Sequence, residues 1–466
     1  MKSSNPSLYR DDCILGLVED ELNETLYRSW GQSLAQMLPV GSKILVTSDF
    51  RQSSEQFKAA LIEGALSNGV NIYDFGHIPS NLASYGLDLL SGNACVSVTG
   101  GNYASIWNGL RWFIPNSSCS KAMEIDRLRH EAKSLSESRV VTRGKYTTID
   151  IIPTWWAFLQ DVWYDTPKVP LHIVVDSMYG NWAPFAQQAL QKCFPQTLFD
   201  SIHDEPKEDF GGMLPASRCR KSLSELCSEV VRRRADLGVA FEADAHGFAL
   251  IDNLGQPLLS EEITWIVLHY LLGNAMNGEI FLHEVNCSEK IITEGIRLGA
   301  SPRIVKNSHF AFLDKMQETN ALIGFGVDGS FYFRGVCGRR IVIFAVCWFL
   351  DHFTRLGIPL SEWRKQFPAF YTTPEIRTPL VPLEEVVQRL SEAWSCSPSS
   401  TLEGVRFVVP NGCVHIRAIA DFAQLGFHFE TDHQAALRRI FSECCRALEG
   451  LDHLTFFLKE GLANWR

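Results

Sequence analysis

The sequence has no apolar run long enough to cross a membrane; the most apolar stretch, Ile341 to Phe349, is about half of what a spanning helix needs. Its opening residues, Met-Lys-Ser-Ser-Asn-Pro, lack the apolar stretch of a secretory leader, so a cytoplasmic protein without membrane contact is expected. Basic residues are not in excess. Lys and Arg number 43 against 53 Asp and Glu, and the net charge of −10 argues against a grip on nucleic-acid phosphates. The one basic run, Arg232-Arg233-Arg234, reads as the solvated end of a helix. The 13 cysteines include no C-x-x-C pair, which excludes a zinc ribbon and suggests no disulfide framework; they read as reduced thiols, mostly in cores. Low-complexity tracts are absent.

What is present is ordinary globular material: 46% hydrophobic and 21% charged residues over 466 positions, enough for about three or four domains. Residues 20–38 have helical spacing, and Lys43 to Thr47 reads as a buried strand. Ser53 and Ser54 can cap a helix over Glu55 to Ser67. A strand at Asn71 to Phe75, a helix at Asn81 to Leu90 and a strand at Ala94 to Val98 complete a strand–helix alternation, which implies parallel pairing. The same rhythm returns after Asp150 and again after Asp252. The last portion differs, with a helix at Leu383 to Trp394, a hairpin around Asn411-Gly412 and a closing helix from Gln434. The expected fold class is α/β: three successive α/β domains plus a C-terminal α+β domain, over residues 1–146, 147–253, 254–370 and 371–466.

Two stretches stand out for chemistry. Ligands in such sheets sit off the carboxyl ends of strands, which is where Thr99-Gly-Gly-Asn102 falls. In Val239 to Asp252, the ligand-type residues Glu242, Asp244 and His246 alternate with Ala243 and Ala245. On an extended backbone all three side chains would face one way and form a cup for a divalent metal.

In order along the chain these pieces resemble the α-D-phosphohexomutases, the phosphomannomutase/phosphoglucomutase superfamily. Tyr9-Arg-Asp-Asp-Cys-Ile-Leu-Gly16 is similar to the family's F-R-x-Y-D-I-R-G, Ser48-Asp-Phe-Arg-Gln-Ser-Ser54 to R-D-T-R-x-S-S, and Gly76-His-Ile-Pro79 to G-x-x-P. Val98-Thr99 through Trp107-Asn-Gly-Leu-Arg111 occupies the place of T-A-S-H-N-P-x-x-Y-N-G-[LIF]-K. Ala235 to Gly247 falls on A-D-L-G-I-A-F-D-G-D-A-D-R, Glu284 to Ser288 on D-V-K-x-S, and Ser308-His309 on the G-H motif. The resemblance covers nearly the whole chain. It implies four domains around a central cleft, one motif from each, and a sugar-phosphate ligand.

Departures from the motifs bear on activity. The family's phosphoryl-carrying serine corresponds to Gly101, which has no side chain to phosphorylate; Ser105, four positions on, is a fallback nucleophile. The three metal aspartates correspond to Glu242, Asp244 and His246. The resemblance implies magnesium, whereas an imidazole suits zinc or manganese better. Gly247 replaces an arginine, and Leu15 replaces the opening arginine. In the sugar loop, Gly326, Asp328 and Ser330 stand for glutamate, serine and histidine, and Leu313 stands for a lysine. Of the phosphate cradle only Arg417 remains, with Ile419 and Asp421 in place of hydroxyls. Arg51, Arg111, Asp328 and Arg417 are the candidate substrate or phosphate contacts. Phe325, Phe422, Leu313 and Tyr103 could turn the cleft into a docking surface for a protein partner.

Three functions follow as expectations. The first is a catalytically inactive homologue with a binding or regulatory role linked to carbohydrate metabolism. The second is an active mutase with a rearranged site. The third is a metal-binding or regulatory protein with no sugar ligand.

Overall fold

The computed structural model describes residues 8–10, 13–115, 142–163, 169–216, 219–244, 246–273, 278–327, 329–336, 339–400, 403–419, 424–451 and 454–465. The expectations for Ala245, Asp328, Asp421 and Phe422 lie outside them.

The first sheet holds β1 (Ile14–Leu17), β2 (Lys43–Ser48), β3 (Asn71–Asp74), β4 (Ala94–Val98), β5 (Trp107–Phe113) and β6 (Tyr146–Thr148), in the order β1-β5-β4-β2-β3-β6. Strand β2 is buried on both faces, as strands of parallel sheets are. Its Ile44 and Val46 join Tyr27, Trp30 and Phe57 of helices α1 (Glu24–Gln36) and α2 (Ser54–Leu66). Leu45 faces the other way, toward Leu82 of helix α3 (Ser80–Leu90). Helix α1 starts at Asn23, whose side chain accepts from the Leu26 amide at 3.0 Å. The expected serine cap of α2 is not made: Ser53 lies in helical conformation, and its hydroxyl instead accepts from Asn108 at 2.7 Å.

The second sheet, β7 (His172–Asp176), β8 (Leu198–Ile202), β9 (Leu237–Phe241) and β10 (Phe248–Asp252), runs β10-β9-β7-β8. The third, β11 (Ile280–Glu284), β12 (Ser301–Val305), β13 (Ile323–Phe325) and β14 (Phe331–Phe333), runs β12-β11-β13-β14. The fourth is wholly antiparallel: β15 (Tyr371–Thr372), β16 (Ile376–Pro379), β17 (Val405–Val409), β18 (Gly412–Ile419) and β19 (Gln424–Thr431), with β19 central. The α/β class with a closing α+β unit is thus the observed architecture.

One feature is common to the three α/β units and departs from the purely parallel expectation. Each pairs one parallel strand with an antiparallel return: β4 with β5, β9 with β10, and β13 with β14. An antiparallel return needs only a short loop, whereas a parallel crossover needs a dozen residues or more. Those short loops, after Val98, Phe241 and Phe325, carry the residues singled out above, and all three sit at carboxyl ends of parallel strands.

A single apolar cluster runs through all three units, including Leu45, Trp155, Val175, Phe241, Phe281 and Phe349. Polar contacts tie the units as well. Asn181 donates to the Ile78 carbonyl at 3.2 Å, Arg339 pairs with Asp88, and Ser288 with Glu430. Described cysteines are all free thiols. Among the described residues no helix is long and apolar enough to cross a membrane.

Candidate functional site

A cavity of about 580 Å³ lies where the units meet. Arg10, Tyr103 and Arg111 line it from the first unit, His246 from the second, His309 and Arg340 from the third, and Arg417 from the fourth. This size is ordinary for a small-molecule site.

The loop after β4 is anchored from beneath. Asp49, at the end of β2, is fully buried and receives Arg51, the Ser54 hydroxyl and the Gly100 amide. Arg51 donates onward to the carbonyls of Gly101 at 2.9 Å and Tyr103 at 2.6 Å, and its guanidinium lies 4.7 Å from the Phe210 ring centre. The anion-contact expectation for Arg51 is therefore corrected. Its guanidinium is enclosed and committed to holding the loop. Gly101 has φ +65°, and a Cβ built there would stand 3.0 Å from Arg111 Nη2 and 3.5 Å from Asp244 Oδ2. The position still aims at a carboxylate and a cation, with no side chain to present. Ser105 is half-buried and is not among the residues lining the cavity, so the fallback nucleophile is not placed in the cleft.

The metal cup does not form as expected. A shared face requires extended backbone through Glu242, Asp244 and His246, but β9 ends at Phe241 and these residues form the tip of a hairpin whose Phe241 and Phe248 pair. Glu242 turns toward Asn102, whose amide lies 3.4 Å from its Oε2, and toward Gly247, where a Cβ would stand 2.3 Å from the same oxygen. Asp244 and His246 do come together. Asp244 Oδ1 accepts from the His246 amide at 3.0 Å, and its Oδ2 lies 3.0 Å from the ring Nδ1 and 3.8 Å from Arg111. The other ring nitrogen, Nε2, faces the Ser80 hydroxyl at 3.3 Å. Nδ1 is thus engaged by the Asp244 carboxylate and Nε2 by the neighbouring unit, so neither ring nitrogen is turned toward Glu242 to complete a three-ligand cup. Among the described residues no three His, Cys, Asp or Glu side chains gather so as to hold a metal ion. The donor set present does not fit a divalent metal.

The electrostatics follow from this packing. Burial pushes the Asp244 carboxyl up, but His246 and Arg111 outweigh it and hold it well below the usual carboxylate range. Burial, reinforced by Arg111 and Arg340, keeps the His246 ring below its ordinary value despite Asp244. Arg111 retains about a third of its side-chain surface (34%) because it projects into the cleft rather than into packed core. Burial there opposes its charge, and Asp244, Cys13 and Tyr103 together more than restore it. Arg417 pairs with Glu375 through two contacts, at 2.6 and 3.2 Å. Phe325 is buried against Phe281 and does not reach the cleft, whereas Leu313, though buried, lines it. Tyr103 does line the cleft.

Arg340, Arg10 and the His309 ring were not among the sequence candidates. A signal for Arg340 existed. Two consecutive arginines directly before the apolar helix Val342–Phe353 meet an unfavourable helix dipole, so something other than the helix must hold them. Arg340 donates to the His246 carbonyl at 2.7 Å.

Two histidines give a pH dependence. His309 is pushed down to about 3, first by burial and then by His246, Arg340 and Arg111. His415 is pushed down to about 4 by burial and then by His428 and Arg417. Both are neutral when folded and charge in the unfolded chain below about 6.5. Between about 6.5 and about 4 the unfolded state binds more protons, so stability falls as pH falls. His203, raised mainly by its Asp176 hydrogen bond, and Glu430, raised by burial, act in the opposite direction. Thermal melts should show Tm constant between about pH 6.5 and about pH 8 and dropping below that window; a flat profile down to about pH 4.5 would contradict the assignment.

A cleft among three like α/β units and a smaller fourth, lined by arginines from the first, third and fourth and by His246 from the second, defines a multidomain protein with a central cationic cleft. Residues 9–137 match the sequence model described as phosphoglucomutase/phosphomannomutase, alpha/beta/alpha domain I, and residues 157–255 match that for domain II. The chain belongs to the α-D-phosphohexomutase superfamily and is phosphomannomutase/phosphoglucomutase-like. It is 25% identical over 458 residues to phosphomannomutase/phosphoglucomutase of Pseudomonas aeruginosa, covering 96% of each chain. A phosphoglucomutase/phosphomannomutase family protein from Burkholderia thailandensis superposes with a TM-score of 0.83 at 20% identity, over 96% of this chain and 98% of that one. Aspergillus fumigatus N-acetylphosphoglucosamine mutase, solved in complex with GlcNAc-6P and magnesium, superposes at 0.56 with 10% identity, over 88% and 83% of the two chains.

Proposed function

We propose that the protein binds a phosphorylated hexose in the central cleft and passes no phosphoryl group through residue 101, so that its role in carbohydrate metabolism is one of binding or regulation. One observation carries this reading: position 101 points at Arg111 and Asp244 and offers only hydrogen. Phosphoryl transfer through an enzyme side chain needs an acceptor atom as well as charge and positioning. Arg111 and Arg417 bring charge to the cavity from the first and fourth units, and Ser330 a hydroxyl from the third. Loss of one oxyanion contact alone costs about 2.7–4 kcal/mol of barrier in typical enzymes. The relatives' names as mutases favour a second reading, an active mutase with a rearranged site. That reading needs a nucleophile other than Ser105, which is not placed in the cleft.

The test is intact-protein mass after incubation with glucose 1,6-bisphosphate. The expected result is an unchanged mass, with the bisphosphate recovered by native mass spectrometry as a non-covalent complex. A stable covalent phosphate on any residue would refute the reading.

A further inference from the structure

We infer that two guanidinium groups, Arg111 and Arg340, supply beside Gly101 the positive charge that a divalent metal would otherwise provide, so that the protein holds a phosphate ester there without metal. This rests on the reading that the cleft takes a phosphorylated hexose.

Three observations lead to it. Asp244, whose Oδ2 would lie 3.5 Å from a Cβ at position 101, has both oxygens engaged within the protein, by the amide and ring of His246, with Arg111 3.8 Å away. A metal would have to displace these contacts and recruit Glu242, which faces Asn102. Next, Arg111 Nη2 stands 3.0 Å from where a Cβ at position 101 would be, in the space a side chain there would enter. Finally, Arg340 reaches the same cavity from the third unit, fixed by its Nε donation to the His246 carbonyl at 2.7 Å. It is close enough to act electrostatically on Arg111, His246 and His309 alike.

Two fixed guanidinium groups from different units, with neutral imidazoles between them, form a cationic pocket. A guanidinium matches phosphate in charge and planar donor geometry, which an isolated point charge does not. Arg111 is held by a carboxylate and Arg340 by a carbonyl, so neither must be ordered when ligand arrives, and binding gains from that preorganisation.

The test is calorimetric titration of glucose 1-phosphate into the full-length protein, once after dialysis against EDTA and once with magnesium added. The affinity is expected to agree within about twofold between the two. Arg111→Gln and Arg340→Gln should each weaken binding by about tenfold or more, the loss of a charge-assisted contact. Arg340→Lys should keep part of the affinity, and it serves if the glutamine variant does not fold. Binding seen only with magnesium would overturn the inference while leaving the cleft a sugar-phosphate site. Wild-type affinity in Arg340→Gln would also overturn it. No binding under either condition would overturn both this inference and the reading beneath it, whereas glucose 6-phosphate in the cell effluent would overturn only the absence of transfer.

Discussion

Arg51→Ala is expected to lower folding stability by about 3–5 kcal/mol, the cost of leaving a buried charge without its partner. Asp49 and Arg51 have no exposed side-chain surface. Removing the guanidinium leaves the Asp49 carboxylate with the Ser54 hydroxyl and backbone amides alone. It also strips donors from the carbonyls of Gly101 and Tyr103, which shape the loop at the cleft. Urea denaturation measures the loss, and a change below about 1 kcal/mol would contradict the arrangement. Replacing both partners with apolar residues should cost less than the single change, since no orphaned charge remains.

The second large effect lies where α1 crosses α2. A Cβ on Gly31 would stand 2.0 Å from the Leu61 carbonyl oxygen, and one on Gly64 would stand 1.9 Å from that of Arg28. Alanine gains up to about 1 kcal/mol of helix propensity over glycine. Here the methyl meets backbone, which cannot rotate aside, so the helices must separate and unpack Tyr27, Trp30 and Phe57. Gly31→Ala should therefore destabilise by about 3 kcal/mol net, the upper end of ordinary overpacking. Gly273, at the exposed end of the helix Ser260–Gly273, has nothing within 4 Å of an added Cβ. Gly273→Ala should be neutral or stabilise by up to about 1 kcal/mol. Opposite signs in thermal melts are the expected result, and equal effects would show that helix contact does not decide the matter.

The strands that run into buried apolar clusters, such as Lys43–Ser48, Ala94–Val98 and His172–Asp176, are legible because period and composition agree. The Asn411-Gly412 hairpin is legible for a local reason. Asn411 takes φ +65°, which few other residues tolerate. The antiparallel return Trp107–Phe113 is not legible, since Asn108 and Arg111 interrupt its apolar pattern for reasons found only in the folded cleft: Asn108 bonds Ser53 and Ser54, and Arg111 faces Asp244. Glu242, Asp244 and His246 show the converse failure. Their alternation would mean a shared face only on extended backbone, and the hairpin tip removes that premise. Motif resemblance, which carries tertiary information that periodicity lacks, is the reading that sets Gly101 and Asp244 in one site; a Cβ at 101 would stand 3.5 Å from Asp244 Oδ2. Arg340 lay between motifs; two arginines before an apolar helix signal that something must hold them, but not that the His246 carbonyl does.

The central claim concerns position 101, and a coupled mutase assay tests it most directly. With glucose 1-phosphate or mannose 1-phosphate as substrate, glucose 1,6-bisphosphate as activator and magnesium present, the protein should give no turnover above the protein-free blank. Turnover that is abolished by Asp244→Ala would contradict the account.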